Sequence, residues 1–192
     1  MKTRPDLSTT LRSLGARAGP GEAVPWAAQY GSAWSTALAA CDRRVWLTWL
    51  AGALMRRGHF DRRVLVRCAC ACARTALQYV PAGEERPLRA IETTEAWCRG
   101  EATIDEVREA RRNADAAAYD AYAAAYAAYA ADAADAAAAA DAAAAARAHR
   151  EARAQAEVEL LATTRRELGP ALLDALDAYV AARAATAAEV QP

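Results

Sequence analysis

The sequence predicts an all-α protein: a helical bundle of roughly the first 100 residues, a long alanine-rich helix that is either straight or folded into a hairpin, and a C-terminal helix. Twenty-five of the 35 residues from 114 to 148 are alanine, the strongest helix former. Large apolar residues recur earlier at spacings of three and four, which is typical of a buried helix face: Trp34, Leu38, Cys41, Val45 and Trp49. Glycine and proline stand where these patterns stop.

These patterns divide the chain into four segments of a single domain. Residues 1–25 form a loose leader, because they hold several glycines and prolines and little apolar periodicity; a short helix at Leu7–Leu14 stays open. Residues 26–103 form the helical globular part, and residues 104–168 form the long Ala/Tyr/Asp-rich helix. Residues 170–190 form a C-terminal helix that packs back.

The globular part begins with a helical region that starts at Trp26. Gly31 and Cys41-Asp42 are the two candidate breaks in this region. The break near Cys41-Asp42 is favoured, with Asp42 as the N-cap of the next helix, because aspartate accepts hydrogen bonds from the first amides of a helix. Gly58-His59 is expected to form the turn that follows.

Two further helices follow in the globular part. One runs from its N-cap Asp61 to Tyr79-Val80, and its segment Val64–Cys72 is apolar nearly all round, which predicts deep burial. The next runs from Pro87 to Arg99, with Gly100 just past its C-terminus.

The long tract begins with a capping box at Thr103-Ile104-Asp105-Glu106 and holds no glycine or proline before Gly169. It forms one helix or breaks once, either within residues 112–115 or within residues 132–141. Gly169-Pro170 is expected to end it. The last helix, Pro170–Ala188, is expected to turn five side chains inward: Leu172, Leu173, Leu176, Tyr179 and Val180.

Formal net charge is zero, but its distribution along the chain is uneven. Residues 1–75 carry 12 basic and 4 acidic residues, residues 76–146 carry 6 and 13, and residues 147–192 carry 6 and 7. Residues 1–75 therefore have a net charge of +8 and residues 76–146 a net charge of −7, which predicts attraction between these two parts of the chain. No nucleic-acid-binding motif accompanies the arginines, so no nucleic-acid partner is expected.

Five cysteines without a secretory signal before them indicate a reducing compartment, so the expected location is the cytoplasm. The most apolar segment, Val45–Met55, has 11 residues, whereas a membrane-spanning helix needs about 20. No membrane association is therefore expected.

No pattern indicates catalysis, a metal or a cofactor. Within Cys68-Ala69-Cys70-Ala71-Cys72 the middle cysteine points away from the other two on a helix, so buried thiols are favoured over a zinc site. His59 and His149 accompany no nucleophile motif. The sequence therefore predicts a non-enzymatic protein with no cofactor and no small-molecule substrate.

Two groups of side chains are candidates for protein binding. The first is a stripe on one helix face with spacings of 3, 4 and 3: Tyr119, Tyr122, Tyr126 and Tyr129. Packing within the chain is favoured for this stripe over contact with a partner. The second group is Arg43, Trp46 and Trp49, residue types that dominate interface hot spots; the alternative is a core tryptophan pair capped by Asp42.

Three segments resemble the Imm5-like family of bacterial putative immunity proteins, in its alanine-rich helical members. They are Cys41-Asp42-Arg43…Trp46-Leu47…Trp49-Leu50, the helix Arg67–Arg74, and the block Glu85–Thr103 with its Arg-Pro-x-x-Ala-Ile-Glu…Trp-x-Arg-Gly-Glu pattern. The resemblance covers about Trp34 to Glu157 and implies an all-α protein that neutralises a toxin by binding it. It brings no catalytic residues. Among its matched positions, these are interpreted as fold-defining: Asp42, Arg86, Pro87, Glu92, Trp97 and Gly100.

The first functional hypothesis is therefore an immunity-type protein that occludes a cognate toxin. The acidic stretch 76–146 would steer it onto a basic nuclease by mimicking nucleic acid. The second hypothesis is a structural or oligomerisation module, in which the tyrosine stripe joins two copies of the chain. An ice-binding helix is a weaker alternative, because residues 114–148 hold no threonine.

Overall fold

The computed structural model describes residues 4–16, 22–132 and 138–189, and it describes the side chains of these residues except those of 124–149 and 189. The described residues form α-helices, one 3-10 turn and no strand, which confirms the all-α prediction. The helices are α1 Leu7–Ser13, α2 Ala23–Ala28, α3 Trp34–Ala40, α4 Arg44–Met55, α5 Arg62–Thr75, α6 Arg86–Arg99, α7 Ile104–Asp132 and α8 Ala138–Glu189.

The chain divides into two compact units. Unit 1 comprises residues 1–68 and 161–192, and unit 2 comprises residues 69–160. This division falls within α5 and within α8, so it cuts across the four segments expected from the sequence.

The start of the chain belongs to the core of unit 1, so the loose leader expected there is wrong for residues 4–16. Leu7 and Leu11 on α1 are buried, and α1 packs against α2. Asp6 caps α1, because its carboxylate accepts from the Ser8 amide at 2.8 Å. The indole nitrogen of Trp34 donates to the Pro5 carbonyl at 3.0 Å, which ties the extended start to α3.

The helical region breaks at both candidate positions, between α2 and α3 around Gly31 and between α3 and α4 at Cys41-Asp42, but Asp42 is not the N-cap of α4. Arg43 occupies that position, and no side chain caps the first turn of α4. At the end of α3, the Arg165 guanidinium of α8 donates to the Cys41 carbonyl at 2.7 Å.

Gly169-Pro170 does not end a helix, because α8 continues through Pro170 to Glu189. Three fully buried leucines, Leu168, Leu172 and Leu176, lie on one face before and after the proline, while Pro170 itself is exposed. Proline removes one amide and costs about 3 kcal/mol inside a helix. Each buried leucine contributes about 1.5–3 kcal/mol, so burial on that face keeps the helix continuous.

The inward face expected for the last helix is confirmed for three of its five residues. Leu172, Leu176 and Tyr179 are buried, whereas Leu173 and Val180 are half-buried.

Unit 2 begins within α5. The C-terminal end of α5 and the burial of its side chains differ from the expectation. Asp61 caps α5 as predicted, through a 2.8 Å bond from the Arg63 amide, but the α-helix ends at Thr75 and a 3-10 turn occupies Leu77–Tyr79. Within the segment 64–72 only Cys68 and Cys70 are buried. Deep burial of the whole segment is therefore wrong.

Local signals place α6 and α7 where the sequence predicts them. Gly100 ends α6 with φ of 84°, a left-handed conformation that favours glycine. The Thr103 amide donates to the Glu106 carboxylate at 2.6 Å and the Glu106 amide donates to the Thr103 hydroxyl at 3.2 Å, which confirms the capping box. The helix α7 runs unbroken through residues 112–115, so a break there is wrong. The other expected break, within 132–141, includes residues 133–137, which lie outside the described part.

Candidate protein-binding surfaces

An aromatic cluster lies at the surface of unit 1, and we call it the aromatic surface: Trp26, Tyr30, Arg43, Trp46 and Trp49. The ring centroids of Trp26 and Tyr30 lie 5.0 Å apart, and those of Trp26 and Trp46 lie 5.4 Å apart. The Arg43 guanidinium lies 5.5 Å from the centroid of the Trp46 ring. The four aromatic side chains are half-buried, so each presents part of its surface to solvent.

Three short elements of unit 1 position this surface. The helix α2 and the turn after it carry Trp26 and Tyr30 four residues apart, and such positions lie on one side of a helical turn. The first two turns of α4 carry Trp46 and Trp49. Buried leucines lie beneath the tryptophans and line a shallow apolar depression with them: Leu7, Leu11, Leu38, Leu47 and Leu50.

Arg43 is the residue directly before the first turn of α4, and from this position its guanidinium lies over the Trp46 ring. The Arg43 side chain is 56% exposed, and its guanidinium also lies 3.8 Å from the Asp42 carboxylate. Next to it, Val45 exposes 64% of its surface. A cation over an aromatic face contributes about 0.5–1 kcal/mol while exposed, and about 2 kcal/mol once water is excluded.

The structure therefore brings together the predicted group Arg43, Trp46 and Trp49. It also adds Trp26 and Tyr30, which sequence reasoning missed. Their spacing of four residues directly after Pro25 was the available signal, but the contact between Trp26 and Trp46 joins α2 to α4 and follows from tertiary packing alone.

The tyrosine stripe is not packed within the chain where its side chains are described. Tyr119 is 75% exposed and Tyr122 is 71% exposed on α7, so the interpretation of these two as intramolecular packing groups is wrong. Ala117 is buried, and α7 packs against α6. The side chains of Tyr126 and Tyr129 lie outside the described part of the chain.

The residues interpreted as fold-defining occupy varied settings. Arg86 donates to Glu84 at 2.9 Å and to Asp120 of α7 at 3.1 Å, and Pro87 lies in the first turn of α6. Asp42 and Glu92 are exposed, and Trp97 is half-buried. Their role in defining the fold stays a prediction.

A groove of about 340 Å³ lies between α6 and α7. Arg86, Arg89 and Thr93 line it from α6, and Glu106, Glu109, Ala110 and Asn113 line it from α7.

The charged groups of this groove are held by neighbours within unit 2. Arg89 pairs with Glu85 at 2.8 Å, and Glu109 accepts from Arg112 at 2.6 Å. The Arg86 guanidinium lowers the pKa of the Glu84 carboxyl to about 2. A ligand in the groove would have to displace these pairs.

The thiols and the histidine of the globular part are placed for packing. Burial, with some influence of the Glu95 charge, raises the pKa of the Cys70 thiol to about 11, so this cysteine stays protonated near neutral pH. The rings of His59 and Tyr179 lie in a T-shaped arrangement, at a centroid distance of 5.5 Å. Among the residues that the structure describes, no group of three or more His, Cys, Asp or Glu side chains is arranged to hold a metal ion.

None of the helices in the described part of the chain has the length and apolar character needed to cross a membrane.

Comparison with known proteins gives one match. Residues 58–159, just over half of the 192 residues, match the family model described as "Imm-5 like putative immunity protein". The match covers α5, α6, α7 and the first part of α8, but it begins after the tryptophan segment 41–50, where the resemblance seen in the sequence also extended. No curated protein matches this chain. No solved structure matches it either.

Proposed function

The chain belongs to the Imm-5 like immunity protein family, and on this premise we propose that it neutralises a bacterial toxin by direct, non-covalent binding at the aromatic surface. Family membership is the observation that supports an immunity role. The chemistry of the aromatic surface supports the choice of docking site. No catalytic group is assigned, since occlusion of a toxin needs none.

The aromatic surface has the residue types and the rigidity that interface hot spots use. Tryptophan, tyrosine and arginine contribute most of the binding energy in such contacts, especially where a half-buried ring is held in place before the partner arrives. Trp26 is held between Tyr30 and Trp46, so little side-chain entropy remains to be lost on binding. An apolar side chain of the toxin would cover the exposed ring edges and exclude water from the contact between Arg43 and Trp46.

Charge would act mainly on the rate of association. Residues 69–160 carry 10 basic and 16 acidic residues, a net of −6. A basic toxin would be attracted to such a region over about 8–10 Å at physiological salt, which raises the association rate more than the lifetime of the complex. The acidic region would then steer the toxin, and the aromatic surface would hold it.

The test uses the full chain and the toxin encoded by a neighbouring gene. Binding is measured by calorimetry or surface plasmon resonance, and protection is measured as survival of cells that express the toxin. We expect Trp46→Ala to weaken binding by about 30-fold, because a hot-spot truncation costs about 2 kcal/mol or more. The matched control is Tyr79→Ala, which removes another aromatic side chain, 62% exposed, from a position outside the aromatic surface.

Each outcome is informative. If the wild-type chain neither binds nor protects against the neighbouring toxin, the immunity function is overturned. If binding survives Trp46→Ala and Trp26→Ala but is lost on Arg89→Ala, the docking site is the α6–α7 groove instead. Circular dichroism of each variant separates loss of binding from loss of folding.

A further inference from the structure

The outward face of α7 has a pattern of side chains that fits a second copy of itself. Six of its positions have spacings that read the same in both directions about residue 117: Arg108, Arg112 and Asp115 before it, and Tyr119, Tyr122 and Tyr126 after it. The first three lie 9, 5 and 2 residues before Ala117, and the last three lie 2, 5 and 9 residues after it. The three positions before residue 117 carry charged residues, and the three positions after it carry tyrosines.

All six positions lie on the side of α7 that faces away from α6. At 3.6 residues per turn, each is within about 40° of the direction opposite the buried Ala117. The described side chains agree with this placement, since Arg112 is 66% exposed and Asp115 is 68% exposed. The side chain of Tyr126 lies outside the described part, and its position follows from the helical backbone alone.

We propose that α7 pairs antiparallel with α7 of a second copy of this chain, about a two-fold axis at the level of residue 117. In that arrangement every charged position faces a tyrosine. Asp115 faces Tyr119, whose hydroxyl donates to the carboxylate, Arg112 faces the ring of Tyr122, and position 108 lies opposite position 126. Arginine over a tyrosine ring is a favourable contact, and the two-fold makes each pair twice.

The present partners of these side chains do not oppose the pairing. Arg108 pairs with Asp105 at 2.8 Å and Arg112 pairs with Glu109 at 2.6 Å, both within one turn of α7 and both well exposed. Asp115 pairs with Arg111 at 3.5 Å and is exposed as well. Exposed pairs of this kind contribute little to stability, so each charged group can keep its present neighbour and still contact a tyrosine. The positions next to the tyrosines are mostly alanine, which permits the two backbones to approach closely.

The length of helix that these six positions cover sets the expected strength of the dimer. Residues 108–126 span about 28 Å of helix at ~1.5 Å per residue. A single helix pair of that length is smaller than the roughly 1,600 Å² interface of a stable complex. A dimer that dissociates on dilution is therefore expected.

The test is sedimentation velocity of the full chain over a range of concentrations. We expect the wild type to shift from monomer to dimer as concentration rises. Tyr122→Arg should weaken the dimer by at least about tenfold, because it places a second guanidinium opposite Arg112 at two symmetric sites. The double variant Tyr122→Arg with Arg112→Glu should restore dimerisation, since opposite charges then face each other across the axis.

The matched control is Tyr79→Arg, which adds the same charge at an exposed tyrosine outside the stripe and should leave the dimer unchanged. A wild-type chain that remains monomeric at every concentration overturns the proposal. A dimer that tolerates Tyr122→Arg, or that the double variant does not restore, overturns the antiparallel pairing. Self-association is separate from toxin binding, because Trp46→Ala should not change the dimer and Tyr122→Arg should not change the lifetime of a toxin complex at the aromatic surface.

Discussion

The two long helices of this protein have similar backbones and opposite environments. Between residues 104 and 123 of α7 only Ala117 is buried, although the stretch is continuously helical. Between residues 161 and 180 of α8, seven side chains are buried: Thr163, Thr164, Leu168, Leu172, Ala175, Leu176 and Tyr179. Helix formation and core formation are therefore separate properties, and alanine supplies only the first.

The difference arises from side-chain size on one face. Leucines at spacings of four give α8 an apolar face large enough to carry the helix through Pro170. The face of α7 toward α6 carries mainly small or polar side chains, among them Glu106, Ala110, Asn113 and Ala117, which remove little apolar surface from water. The stability of α7 therefore depends on helix propensity and on the capping box at its start.

The largest effect is expected for Leu172→Ala in α8. Leu172 is fully buried, so the substitution leaves a cavity in unit 1 and should lower the free energy of unfolding by about 2–5 kcal/mol. Urea denaturation followed by circular dichroism measures this loss. Val158→Ala in the same helix is the control, because Val158 is 63% exposed and its truncation should change stability by no more than about 0.5 kcal/mol. Equal losses in the free energy of unfolding for the two variants would contradict the dependence of α8 on its buried face.

Pro170→Ala should stabilise the chain by about 1–3 kcal/mol, because alanine restores an amide and removes a ring that crowds the preceding turn. The same denaturation experiment measures the gain. Gly169→Ala is the comparison, with an expected gain of about 0.5–1 kcal/mol, since an added Cβ at Gly169 meets no atom within 4 Å. A destabilised Pro170→Ala variant would mean that the proline, and not the leucine face, supports this part of α8.

Thr103→Ala should destabilise the start of α7 by about 1 kcal/mol, because it removes the hydroxyl that accepts from the Glu106 amide. Hydrogen exchange of the first-turn amides measures the local effect. Thr186→Ala is the control, since the Thr186 hydroxyl bonds only to a carbonyl in an exposed turn of α8. Unchanged exchange at α7 would show that packing on α6, and not the cap, holds its start.

The smallest effect is expected from acid, and it should act mainly on unit 2. The Arg86 guanidinium lowers the pKa of Glu84 to about 2, and hydrogen bonds from Arg74 and from the Thr103 backbone lower the pKa of Glu95 and of Glu106. A carboxyl whose pKa is lower in the folded state adds stability above its unfolded value near 4.5, and this is lost as pH falls toward the folded value. Stability should therefore decline below about pH 4.5.

The check on this pH dependence is Glu84→Gln, which removes one of the titrating groups. Its thermal midpoint should fall less between pH 6 and pH 3 than that of the wild type. A parallel decline in both proteins would show that Glu84 does not take part. In unit 1, hydrogen bonding to Ser8 lowers the pKa of the Asp6 carboxyl. The variant Asp6→Asn is therefore the unit 1 comparison for Glu84→Gln.

Signals that act within one or two turns were legible in the sequence. The capping box at Thr103, the cap at Asp61, the left-handed Gly100 and the break at Cys41-Asp42 all lie where the residues predict them. Each depends on atoms a few residues apart, so no knowledge of distant packing is needed.

Signals that depend on distant packing were misread or missed. Leu7 and Leu11 looked like part of a loose leader, yet they are buried against helices that lie later in the chain. The pairing of Trp26 with Trp46 likewise joins two helices 20 residues apart. The exposure of Tyr119 and Tyr122 could not be predicted, because an amphipathic ring is as compatible with a core as with a free surface.

The all-α class, the helical character of the alanine tract and the starts and stops of most helices follow from the amino-acid sequence, because they arise from backbone propensity and nearby hydrogen bonds. Whether a helix is buried, whether Pro170 interrupts it and which aromatic rings meet at the surface were decided by tertiary structure. The physical reason is that burial depends on surfaces contributed by residues far apart in the chain, and its free energy exceeds the local preferences that a sequence pattern expresses.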